Sequence, residues 1–120
     1  MSRDRGLELQ RALARYLSAW WPSAESTPNG RPGSDVLGTP GIVWENKTAG
    51  KGGRNIGAWL DQAAKHKRAG EDLPVVVYWP PGVGEGRPHL AVAMLPLPVL
   101  VELLLRPEGD PEFAVERKTS

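Results

Sequence analysis

The 120 residues predict an α/β fold, a mixed sheet of about five strands flanked by helices. Two observations carry this expectation. Stretches with helical spacing of apolar residues (4–20 and 56–69) alternate with short runs rich in Val, Ile and Trp (36–37, 42–44, 73–79 and 89–95). The 14 glycines and 12 prolines fall in turns between those runs rather than in one low-complexity tract. The length suffices for one domain with a real core, expected at 1–105. Residues 106–120 are rich in charge, Pro and Gly and read as a tail beyond the domain.

In the first helix, Leu7, Leu9, Leu13, Leu17 and Trp20 make the apolar stripe. Asp4 is the expected N-cap and Pro22 the stop. Glu8 is an acid in the first turn, where it complements the helix dipole. Residues 23–27 suit a short strand. The loop Pro28–Gly33 carries one basic residue, Arg31, which together with Ser34 either contacts a nucleic-acid backbone or merely connects elements.

Ser34–Lys47 reads as a strand, a turn at Gly38-Thr39-Pro40-Gly41, and a second strand. Residues two apart on a strand share a face, so Glu45 and Lys47 point one way and Trp44 and Asn46 the other. A three-residue loop with Gly41 at positive φ sets Asp35 opposite Glu45, and a two-residue loop sets it opposite Trp44. Either register brings the two carboxylates close. Such a pair repels unless positive charge sits nearby, and Lys47 and a divalent cation are the two candidates. Mg²⁺ accepts one or two protein carboxylates and keeps waters for substrate phosphates. It can activate water and neutralise phosphoryl charge, while an adjacent Lys positions or deprotonates the attacking water or steadies developing negative charge. The stretch therefore points to metal-dependent phosphodiester hydrolysis.

The Gly-rich loop 48–57 leads into the second helix with Lys51 and Arg54. It lacks the Ser or Thr that must follow a P-loop lysine, because Gly52 stands there. A small phosphate- or nucleotide-binding protein using this loop is thus the weakest rival. Lys51 and Arg54 are either beside a scissile strand or in a solvated linker. Ile56, Trp59, Leu60, Ala63 and Ala64 form the buried face of the second helix, with Gln62 and Lys65 sharing another side. His66 has no metal-ligand partner in sequence and reads as solvated. Leu73–Trp79 is an uninterrupted apolar strand, expected to be central and buried on both faces. His89–Leu95 should be its hairpin partner, with His89 at the strand edge. Pro98–Leu105 is an all-round apolar helix, either docked deeply in the core or a dimer contact. Glu116-Arg117-Lys118 repeats the Glu-x-Lys pattern, but no upstream strand supplies an Asp. Trp20, Trp44, Trp59 and Trp79 fall on inferred core faces, leaving Trp21 as the one open to base stacking.

There is no Cys, which excludes disulfides, thiolate metal sites and a Cys nucleophile. No apolar run reaches the ~18–20 residues of a membrane span and no leader is evident, so a soluble cytoplasmic protein with no membrane partner is expected. Net charge is only +1, but six basic residues against one acid lie between Lys47 and Arg68. One basic face suits DNA, and it also suits ordinary solubility.

Asp35, then Glu45-x-Lys47 at the end of an apolar strand, resembles the PD-(D/E)XK nuclease superfamily. The order of elements over roughly residues 3–95 is similar to its small Holliday-junction resolvases of phage and archaeal type. The resemblance implies a restriction-endonuclease-like core and a Mg²⁺- or Mn²⁺-dependent DNA endonuclease acting on branched DNA in recombination. It further implies a homodimer, in a bacterial or phage-infected cell. By the same resemblance Asp35, Glu45 and the Asn46 carbonyl bind metal, Glu8 completes the carboxylate cluster, and Gln62 lies near the site. Lys47 positions water, and Arg31, Ser34, Lys51, Arg54 and Lys65 meet DNA. The rival from another class is a nuclease fold without catalysis that binds DNA or protein.

Overall fold

The structure, a computed structural model, describes residues 2–28, 31–48, 55–65 and 73–105. Helix α1 (Ser2–Leu17) is followed by β1 (Glu25–Ser26), β2 (Val36–Leu37), β3 (Ile42–Thr48) and helix α2 (Ile56–Lys65). Then come β4 (Leu73–Trp79), a 3₁₀ turn at Pro88–Leu90, β5 (Val92–Met94) and helix α3 (Leu97–Leu104). The fold is mixed α/β, but the five strands among the described residues form two sheets, not one. β1 and β2 pair antiparallel, and β3-β4-β5 form a mixed sheet with β4 in the centre.

β3 and β4 run parallel from Ile42↔Leu73 to Thr48↔Trp79, and α2 lies in the connection that parallel pairing requires. β5 returns antiparallel, pairing Val76↔Met94 and Tyr78↔Val92. All seven residues of β4 are buried, as its unbroken apolarity predicts. Val75, Val77 and Trp79 join Leu9, Ala12, Leu13 and Leu17 of α1 in one core. On the opposite face Tyr78 stacks on Trp59 of α2, with ring centroids 5.5 Å apart. The central sheet is thus covered by α1 on one side and α2 on the other.

Several elements depart from expectation for local reasons. α1 starts early enough to include Asp4, which is therefore no N-cap, and it ends at Leu17, where Trp20 and Trp21 both donate to the Leu17 carbonyl. That turn reverses the tryptophans. Trp21 packs on the core, edge-on to Trp44, whereas Trp20 is 45% exposed against Tyr16. Pro88 opens a 3₁₀ turn that holds His89 outside the strand and shortens β5 to three residues. The residues of the second helix predicted beyond Lys65, His66 included, and the tail 106–120 lie outside the described residues. α3 is not docked in the core, for none of its residues is buried. No helix among the described residues is long and apolar enough to cross a membrane.

Candidate functional site

The predicted hairpin at 34–47 becomes something tighter than a two-stranded ladder. β2 gives its backbone pairing to β1, so the outer edge of β3 needs other partners. Gly38 and Gly41 take φ of 86° and 83° and turn the chain back on itself. Thr39, buried in that turn, accepts from the Trp44 indole at 2.8 Å. Along the edge, the Asp35 amide donates to the Trp44 carbonyl at 2.8 Å. The Trp44 amide donates to Ser34 Oγ at 2.8 Å, and the Asn46 amide donates to Asp35 Oδ2 at 2.6 Å. Two side chains therefore do what a neighbouring strand's carbonyls would do. Asp35 stands beside Trp44 and Asn46, close to the two-residue-loop register.

The alternation of β3 sorts its polar residues as expected. Trp44 and Asn46 face α1: the Asn46 amide side chain donates to the Gly6 carbonyl at 3.4 Å and accepts from the Trp79 indole at 2.6 Å. Glu45 and Lys47 face α2. Glu45 is only 5% exposed, and its Oε2 lies 3.5 Å from Lys47 Nζ. Lys47 Nζ also donates to Gln62 Oε1 of α2 at 2.8 Å. On a strand, the N–H and C=O of one residue leave by the same edge. The Asn46 carbonyl therefore leaves β3 on the side where Asp35 docks.

Asp35, Glu45, Asn46, Lys47 and Gln62 are thus brought together at the C-terminal half of β3. Two carboxylates and one ammonium leave a formal charge of −1, which an added cation would offset. Asp35 and the Asn46 carbonyl share the edge of β3, while Glu45 faces α2 one residue away. Carboxylates with a backbone carbonyl are the donor types that a hard cation retaining water ligands takes. Glu8 does not join them. It is exposed on α1, and among the described residues no three His, Cys, Asp or Glu side chains group to hold a metal. Helical spacing explains this, because the neighbouring Leu9 takes the core-facing position and Glu8 is turned about 100° away from it. Ser34 Oγ is engaged by the Trp44 amide and donates to the Val36 carbonyl at 2.8 Å, so its role here is to hold the edge. Arg31 is exposed in the preceding loop and Lys65 is exposed at the end of α2. Lys51 and Arg54 lie outside the described residues.

Supporting residues went unread in the sequence. Trp79 fixes Asn46 from the centre of the sheet. Thr27 is buried and donates to the Ser34 carbonyl. Gln10 donates to Ser26 Oγ at 2.9 Å and to the Thr27 carbonyl at 3.1 Å, tying β1 to α1. A glutamine next to Leu9 in the apolar stripe was the available signal. Comparison with protein-family models, curated proteins and solved structures found no match to this chain.

Proposed function

We propose that this protein is a metal-dependent DNA endonuclease with a restriction-endonuclease-like core, selective for branched DNA such as Holliday junctions and acting as a homodimer. The observation that carries the reading is the Lys47 ammonium held between Glu45 and Gln62, with Asp35 docked on the intervening Asn46 amide. The order of elements supports it as well: a helix, the Asp-turn-Glu-x-Lys unit, a crossover helix, a parallel strand and an antiparallel strand.

Asp35, Glu45 and the Asn46 carbonyl would hold Mg²⁺ or Mn²⁺. Bound there, the ion supplies an activated water and neutralises charge on a phosphoryl oxygen. Lys47 orients the attacking water and steadies the charge that develops on the phosphate, and Gln62 fixes the lysine's position. Arg31 and Lys65 are the described basic residues offered to the DNA backbone.

The test is cleavage of a labelled four-way junction beside linear duplex, with Mg²⁺ or Mn²⁺, for wild type and Glu45→Gln. Symmetric junction cuts that vanish in the variant support the reading. Equal cutting of duplex keeps the chemistry and removes the junction assignment. No cleavage with either metal removes the enzyme.

A second reading is a binding module for DNA or protein on the same scaffold. It is favoured by the structural employment of both acids, Asp35 closing the β3 edge and Glu45 paired with Lys47. The readings separate on metal. A site that binds cation at one hundred times its Kd stabilises the fold by about 2.7 kcal/mol. Loss of that gain in Asp35→Asn supports the metal site, and its absence in the wild type supports the module.

A further inference from the structure

We propose that the exposed apolar face of α3 is the surface on which a second copy of this chain docks. Leu97, Leu100, Val101 and Leu104 follow the spacing i, i+3, i+4, i+7 and form one stripe along the helix. They are exposed by 70, 40, 45 and 62%, and Leu105, just past the helix end, by 76%. Val99 and Leu103, four apart on the other side, are the half-buried ones. The stripe therefore faces away from the domain that carries it.

The chemistry of the stripe narrows the occupant. The only charged residue of α3 is Glu102, which falls about 150° round the helix from the centre of the stripe. A helix lying in a membrane interface carries Lys or Arg on its polar face, and α3 has neither. Residues 106–120 bring only Phe113 and Val115 as large apolar side chains, beside seven charged ones. They lack the apolar surface to cover it. A second copy brings the identical uncharged stripe, which is the self-complementarity an isologous interface requires.

Area agrees with this partner. An exposed aliphatic side chain counts for on the order of 100 Å². The four stripe residues of α3 and Leu105 then offer roughly 300 Å². With homodimer interfaces about 65% apolar, this anchors roughly 900 Å² across two protomers, the size of a weak, transient interface. An association in the micromolar range is expected rather than an obligate dimer.

The inference rests on the homodimer part of the proposed reading and names its surface. Its test reads mass rather than activity, so its failure is distinguishable from a failure of the nuclease chemistry. Sedimentation velocity of the full chain over about 1–200 µM should shift from 13.0 kDa towards twice that mass. Val101→Glu and Leu100→Glu should weaken association by at least ~30-fold with an unchanged far-UV spectrum. Ile56→Glu, exposed on α2, should leave it intact. Because the chain has no cysteine, Val101→Cys places a single thiol at the middle of the stripe. Oxidation should link it to its own copy, and Ile56→Cys should not link. A wild type that stays monomeric throughout overturns the proposal. So does a dimer that survives Val101→Glu, or one that loses association equally in Ile56→Glu.

Discussion

Lys47→Met isolates what the ammonium does. Methionine keeps the length and the aliphatic stem while removing the charge. Lost with it are the 3.5 Å contact to Glu45 Oε2 and the 2.8 Å bond to Gln62 Oε1. Gln62 is exposed, so water replaces that bond at little cost. Glu45 is different, because its side chain keeps only 7% of its exposure. At 3.5 Å and an effective dielectric near 20, the gross attraction is about 5 kcal/mol. Desolvation of the lysine, whose side chain keeps 23% of its exposure, offsets part of that. Breaking a well-buried pair costs about 3–5 kcal/mol, and this one is partly wetted, so the net loss should be about 2–3 kcal/mol. For a chain of this size that lowers Tm by roughly 8–12 °C.

The assay is urea unfolding followed by far-UV circular dichroism, on Lys47→Met, Glu45→Gln and the double variant. If the cost is the stranded carboxylate, the double variant should recover about 1–2 kcal/mol relative to Lys47→Met. If Glu45 is also a metal ligand, Mg²⁺ should raise the Tm of Lys47→Met by more than that of the wild type. A double variant no more stable than Lys47→Met would refute the electrostatic argument and assign the loss to packing of the side-chain stem.

Asp35→Ala should cost about 1.5–3 kcal/mol in the same assay, because it removes a charge-assisted acceptor from the Asn46 amide. Asp35→Asn retains a carbonyl acceptor and should stay within about 1 kcal/mol of wild type. Gly38→Ala should be the most damaging single change at the turn. At φ +86° a new Cβ would lie 2.1 Å from the Ser23 carbonyl oxygen, so the backbone must move. A loss of at least ~4 kcal/mol is expected, measured as Tm or as loss of soluble protein. Glu8→Gln should leave stability within about 0.5 kcal/mol and the Mg²⁺ shift unchanged, as titration calorimetry can verify. A lost Mg²⁺ response in that variant would return Glu8 to the site.

What was legible in the sequence follows from which forces are local. β4 announced itself because seven consecutive buried positions leave no polar residue to disguise it. The shared face of Glu45 and Lys47 was legible because strand alternation is fixed by the backbone. Gln62 became legible only through the resemblance, since its distance to Lys47 depends on how α2 packs over β3. The split into two sheets was not legible. It depends on β2 choosing β1 over β3, and the two residues of β2 carry no periodicity to decide between them. The exchange of Trp20 for Trp21 had the same origin, because the helix end falls three residues earlier than the apolar stripe suggests. The exposure of α3 ran against its composition, because hydropathy reports that apolar surface exists and not which molecule covers it.

The edge of β3 decides how the function should be tested. Asp35 holds the strand edge through Asn46, and the strand edge holds Glu45 and Lys47 at the site. Fold and proposed chemistry therefore share one carboxylate. An alanine there removes the edge bond and the metal ligand together, so inactivity of Asp35→Ala fits a nuclease and equally fits a frayed β3. Asp35→Asn separates the two, because an amide oxygen can still accept the Asn46 N–H while it offers a cation no charge. A folded Asp35→Asn protein that has lost both the metal shift and cleavage would assign the carboxylate to chemistry. One that keeps both would assign it to the edge alone.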